Sequence, residues 1–178
     1  MKKGKGSHEP MRTYLESLTK KELIGMIVKY APPSFFEIIE GRLANQQEAI
    51  TMFRRIARKI DAVLDNDELL YNPGGFEREL FKQLERLRGL WEKLPTEIGE
   101  LILSLIRTVE QAFEDGYLYL ERYDDEDDYF ESEEVNTYIV QFVKSLPQPL
   151  QNEYLEQLEK VLGESGYSTF MSVGKQLL

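Results

Sequence analysis

The chain has no cysteine and a single histidine, His8, among its 178 residues. The first absence excludes disulfides, thiolate metal sites and cysteine nucleophiles. Together the two leave the common nucleophile and base pairs without members. Gly74-Gly75 is neither a phosphate-binding loop nor a dinucleotide fingerprint, and the chain is read as not an enzyme, with no cofactor and no metal. Long apolar runs are missing too. Nothing nears the roughly eighteen uninterrupted apolar residues of a spanning helix, and Met1–Pro10 has basic residues with no apolar core behind them. Neither a membrane segment nor a signal peptide is therefore expected. A chain without cysteine suits a reducing compartment, and the expected location is cytoplasmic. Strand-like alternation is confined to a brief stretch at Tyr117–Tyr123.

What remains is 42% hydrophobic and 11% aromatic, enough to bury one sizeable core and too much for disorder throughout. The charge is unevenly placed. Residues 1–60 carry about +6 and residues 61–178 about −16, which together make the net −10. Such polarity sets a long-range field that bears on partners and solubility rather than on fold. One all-helical domain is expected over residues 14–178, with candidate halves at 14–71 and 76–178. Residues 1–13, with Lys2, Lys3, Gly4, Lys5 and Gly6, read as a flexible basic linker or the cut edge of a larger protein.

Helical spacing governs the rest. Thr19 followed three residues later by Glu22 is a capping box, and Leu23, Ile24, Ile27 and Val28 form a stripe running to about Tyr30, where Pro32 and Pro33 stop it. A short helix from Ser34 to Leu43 follows. Asn45 opens a longer one with Ile50, Phe53, Ile56, Ile60, Val63 and Leu64 on one side. Asn72-Pro73-Gly74-Gly75 is the clearest turn signal. The second half predicts two hairpins. In the first, Phe76, Leu80, Leu84, Leu87 and Trp91 are answered by Ile98, Leu101, Ile102, Leu105, Val109 and Phe113, with Pro95 at the first helical position. In the second, Val135, Tyr138, Ile139, Phe142 and Leu146 are answered by Leu150, Tyr154, Leu155, Leu158 and Leu162, and Gly163 and Gly166 close it. The expected fold is all-α. It is either a set of stacked antiparallel hairpins, α-solenoid-like in the manner of HEAT or TPR repeats, or an irregular helical bundle. Ile27, Phe53, Leu84, Leu105, Ile139 and Leu158 are expected inside.

The stretch "YLESLTKKELIGMIVKYAPPSFFEIIEGRL", anchored by Leu15, Leu18, Thr19, Glu22, Leu23, Ile27, Ile39 and Leu43, resembles the helical region that follows the zinc finger in bacterial SWIM-domain proteins. The later run "FKQLERLRGLWEKLPTEIGELILSLIRTVEQAFEDGYLYLERYDDEDD" is similar to the hairpin and acidic segment of the same proteins. Leu94-Pro95 stands here where that family usually has a glycine between the hairpin helices, and Tyr129 where the acidic run usually closes on glycine. The resemblance implies a helical repeat region cut away from its zinc finger. The finger's metal needs three cysteines and a histidine, so the finger itself would lie outside this chain, and His8 reads as a solvent-exposed linker residue.

Two charged clusters stand out. Asp124, Asp125, Glu126, Asp127 and Asp128 form an acidic run with Glu131, Glu133 and Glu134 behind it. Read as a calcium loop starting at Asp124, it puts Tyr129 where glycine is required and Val135 where the bidentate glutamate belongs, so the EF-hand reading fails. A solvated loop, a docking surface for a basic partner and loose cation binding stay open. Arg54, Arg55, Arg58 and Lys59 fall within one arc of their helix at about 100° per residue, opposite Phe53, Ile56, Ile60 and Val63. That face suits solvent, intramolecular pairing, a protein partner or phosphates. The net charge and the lack of interleaved aromatics stand against nucleic acid.

The expected function is a non-catalytic helical scaffold that binds a protein partner, as part of a larger SWIM zinc finger protein, with Asp124 to Asp128 as the candidate partner-binding residues. The alternatives are a nucleic-acid-associated module using the Arg54, Arg55, Arg58 and Lys59 face, with a zinc finger outside this chain also able to reach nucleic acid, and a small acidic regulator that mimics nucleic-acid charge.

Overall fold

The computed structural model of the chain describes residues 9–120, 128–129, 133–164 and 170–177. Among these are ten α-helices, one 3-10 turn and one pair of two-residue strands, so the fold is all-α. The chain divides into two compact units, Met1–Phe36 and Glu37–Leu178.

The first unit holds α1 (Glu9–Ser17), α2 (Lys20–Tyr30) and the start of α3 (Pro33–Leu43). Thr19 takes extended backbone, its Oγ1 accepts from the Glu22 N–H, and the Glu22 carboxylate accepts from the Thr19 N–H at 2.9 Å. This reciprocal cap fixes the start of α2. Ala31, held in extended space by the proline that follows, ends it. α1 begins at Glu9, inside the stretch expected to be linker, because Met11, Tyr14, Leu15 and Leu18 already repeat at three and four residues. No residue of α2 is buried. Ile27, expected inside, is 37% exposed, since its stripe has no facing element within this unit other than the nine-residue α1.

The second unit continues with α4 (Gln46–Leu64), α5 (Asp67–Leu70), α6 (Pro73–Leu87), a 3-10 turn (Arg88–Leu90), α7 (Pro95–Glu114), α8 (Glu133–Ser145), α9 (Gln148–Glu164) and α10 (Met171–Leu177). Its core gathers Ile56, Ile60, Phe76, Leu80, Leu84, Leu87, Ile102, Leu105, Ile139, Phe142 and Leu158, all buried. Phe53 is half-buried at the edge of the same cluster. The helices interleave: α6 packs on α4 and α8, α7 on α9, and α10 on α8 and α9. This is an irregular bundle rather than hairpin stacked on hairpin. The connection expected to turn α6 straight back along α7 is occupied by the 3-10 turn, whose Leu90 is fully buried, and by buried Leu94.

Asn72-Pro73-Gly74-Gly75, the strongest turn signal, is the first turn of α6. Asn72 Oδ1 accepts from the Gly75 N–H at 3.1 Å, and Pro73, which has no N–H to lose, occupies the first helical position. At the far end of α7, Gly116 adopts φ 84°, and the N–H groups of Tyr117 and Gly116 donate to the carbonyls of Ala112 and Phe113. That double closure turns the chain sharply. The buried Leu118, itself at φ 60°, is held by donating its N–H to the Leu70 carbonyl at 2.8 Å. β1 (Tyr119–Leu120) follows and pairs antiparallel with β2 (Asp128–Tyr129).

The end of α3 is joined to the 3-10 turn by two glycines. A Cβ on Gly41 would meet the Gly89 backbone at 3.1 Å, and one on Gly89 would lie 2.2 Å from the Ile38 carbonyl oxygen. Alongside, Lys93 Nζ donates to the carbonyls of Gly41 at 3.2 Å, Arg42 at 2.6 Å and Ala44. An Arg86 to Glu37 ion pair at 2.7 Å closes the other side. A lysine on these last carbonyls satisfies acceptors that the helix itself leaves open.

Candidate functional site

The basic cluster lies on α4. Asn45 Oδ1 accepts from the Glu48 N–H at 3.0 Å and the Glu48 carboxylate accepts from the Asn45 N–H at 2.8 Å, which sets the helix start. Ala49, Ile56, Ile60 and Val63 then face the core. The opposite side is left to Arg54, Arg55, Arg58 and Lys59, all four exposed. Among the described residues none of them is in an ion pair. Arg54 with Arg58, and Arg55 with Lys59, are four residues apart, so each pair is offset by about 6 Å along the axis. Such a row can meet an anionic chain with charges at similar spacing.

Asp124, Asp125, Glu126 and Asp127 lie outside the described residues, as does His8. The backbone of Asp128 pairs with Leu120. Glu133 and Glu134 are exposed in the first turn of α8, where negative charge meets the positive end of the helix dipole.

A third surface was not legible as such in the sequence. On α1 and α2, Met11, Tyr14, Ile24, Val28 and Tyr30 each keep half or more of their surface exposed, and Leu15 and Ile27 keep over a third. Leu15, Met11 and Leu23 line a groove of about 420 Å³ that Arg12 and Glu16 also border. Helical periodicity marks these residues as an apolar stripe and is silent on whether a partner element exists to cover it.

Trp91 Nε1 donates to Tyr138 Oη at 2.8 Å. The Trp91 ring stands edge-on to Tyr138 at 5.2 Å and to Phe142 at 5.6 Å, and Phe142 meets Tyr154 at 5.9 Å. The Arg88 guanidinium lies 4.9 Å from the Trp91 ring and 5.2 Å from the Tyr138 ring. Burial pushes both the Tyr138 and the Tyr154 phenol above the ordinary tyrosine range, so neither ionises near neutral pH and neither is poised as an acid or base there. Tyr154 also walls a cavity of about 110 Å³ between α7 and α9, with Gly99, Leu103 and Leu146 beside it. No group of three His, Cys, Asp or Glu side chains able to hold a metal occurs among the described residues. No helix among them is long and apolar enough to cross a membrane.

The chain matches no protein-family model, no curated protein and no solved structure.

Proposed function

We propose that the chain is a non-catalytic helical scaffold that binds a protein partner, and that it belongs beside a SWIM zinc finger in a larger protein. The observation that supports this most is the uncovered apolar surface of α1 and α2. These helices are nine and eleven residues long, shorter than the roughly 12 to 15 residues at which isolated helices begin to hold in water. α2 buries none of its residues. Short helices without a buried face draw their stability from tertiary contact, and large apolar side chains left exposed on two such helices support an interaction site there.

A second reading rests on α4. Its four exposed cations could neutralise phosphates in a sequence-independent way. One pair of variants separates the two. In a binding experiment in nuclease-treated extract, with the whole chain as bait, the scaffold reading expects partner retention that Ile24→Asp with Val28→Asp abolishes and Arg55→Glu with Arg58→Glu leaves in place. Salt-sensitive binding to duplex or single-stranded nucleic acid, lost on the arginine changes alone, overturns it in favour of the second reading. Global unfolding by the α2 changes also overturns it, because the face would then be covered within the chain.

A further inference from the structure

The cavity between α7 and α9 combines an apolar floor with charge of one sign at its mouth. Gly99 on α7 has no side chain, and a Cβ there would lie 3.0 Å from Cε2 of the Tyr154 ring on α9. The ring therefore packs against the α7 backbone and forms the floor together with buried Leu103 and Leu146, while half-buried Leu150 adds a wall. The volume of about 110 Å³ is below the roughly 150 Å³ that holds one benzene, which suits a chain of a few methylenes. Two charged side chains line the cavity, Glu100 and Glu153. Both are exposed, and no ion pair reaches either among the described residues. No lysine or arginine of the described residues lines it. The start of α7 beside it, at Pro95, already has Glu97 in its first turn to meet the positive end of the helix dipole. An anion would be repelled there, and a neutral apolar ligand would leave the two carboxylates without a partner. A cation on an alkyl stem meets both the floor and the mouth. No group of three metal-ligating side chains occurs among the described residues, which leaves an organic cation.

We propose that this cavity binds a primary alkylammonium group, its methylenes on Tyr154, Leu103 and Leu146 and its nitrogen at the mouth beside Glu100 and Glu153. The lysine side chain of a partner and a free alkyl diamine share this chemistry. All the lining residues belong to the second unit, so the site goes beyond the scaffold reading, which rests on α1 and α2.

The test is an NMR titration of the whole chain, reading the amides of Gly99, Leu103 and Tyr154, with pentylammonium, pentanol and pentanoate as probes of equal chain length. The expected result is saturable shifts with pentylammonium, affinity for pentanol about fivefold weaker, no binding of pentanoate, and weakening of the pentylammonium shifts by added salt. Glu100→Gln with Glu153→Gln should bring pentylammonium down to the level of pentanol and leave pentanol unchanged, since both side chains are exposed and the floor is untouched. Equal affinity of the parent chain for pentanol and pentylammonium overturns the proposal, as does preference for pentanoate or the absence of any shift at these amides. Blocked lysine and a five-carbon diamine separate the two sources. Blocked lysine binding at least as tightly as pentylammonium supports a partner's side chain, and a diamine about fivefold tighter than either supports a free diamine. None of these outcomes bears on the apolar side chains of α1 and α2, so the scaffold reading stands or falls by its own experiment.

Discussion

Trp91 and Tyr138, forty-seven positions apart, share a 2.8 Å hydrogen bond in which the indole N–H donates to the phenol oxygen. Tyr138 is fully buried, so its oxygen has little other than Trp91 to offset the loss of water. Tyr138→Phe should cost about 1 kcal/mol in chemical denaturation, as the indole N–H loses its acceptor. Tyr154 provides the contrast. Its phenol oxygen is buried with no hydrogen-bond partner among the described residues. Tyr154→Phe should therefore fall within about 0.5 kcal/mol of the parent, or above it. Equal losses at the two positions would refute this account of the cluster.

Gly89 is fixed by distance rather than by backbone angle. A methyl group there would lie 2.2 Å from the Ile38 carbonyl, and the atom met is backbone that cannot swing aside. Gly89→Ala should cost about 3 kcal/mol as the two segments are forced apart. Gly41→Ala, whose nearest contacts are 3.1 Å, should cost less. The reverse order in thermal melts would contradict the crossing described.

Leu105 is 1% exposed in the middle of α7. Leu105→Ala should remove about 2 to 5 kcal/mol, the range for a leucine deleted from a packed core. A change under about 0.5 kcal/mol would place that stripe at the surface.

Acid should loosen α2 before the bundle. Hydrogen bonds from the Thr19 side chain and backbone lower the Glu22 pKa. Its folded value is thus below its unfolded one, and the stabilisation is fully present above the ordinary glutamate pKa of about 4.3. It is lost as pH falls through the depressed folded value. Amide exchange at Glu22 and Leu23, followed by NMR, should accelerate over that window. Glu22→Gln should flatten the dependence, since an amide can still accept in the cap.

Local signals in the sequence were reliable where the responsible residues lie within a turn of one another. The Thr19 and Glu22 box, the start at Asn45, Pro95 in the first turn of α7 and the buried sides of α6 to α9 all follow from spacing alone. Asn72 to Gly75 misled because the residues that make a tight turn also make a good helix start. Lys93 on the carbonyls of α3, Trp91 on Tyr138 and the Gly41 to Gly89 approach each join segments about fifty residues apart or close to it, and no local pattern encodes them. The apolar faces of α1 and α2 were visible as stripes. Their exposure was not, because a stripe states a need for cover without saying what supplies it. The α4 cations were placed correctly on the exposed arc, since that follows from angle alone.

Lys93 also divides the chain by how its helices open. The carbonyls it holds are 49 to 52 positions away, so the last turn of α3 can be released only when the 3-10 turn region lets go. α2 is secured at its start by a bond between residues three apart. It can fray and reform by itself on a fast timescale, whereas the end of α3 shares the slow, cooperative opening of the bundle. The boundary between private and collective motion thus falls between two helices of equal length that are only two residues apart in the chain.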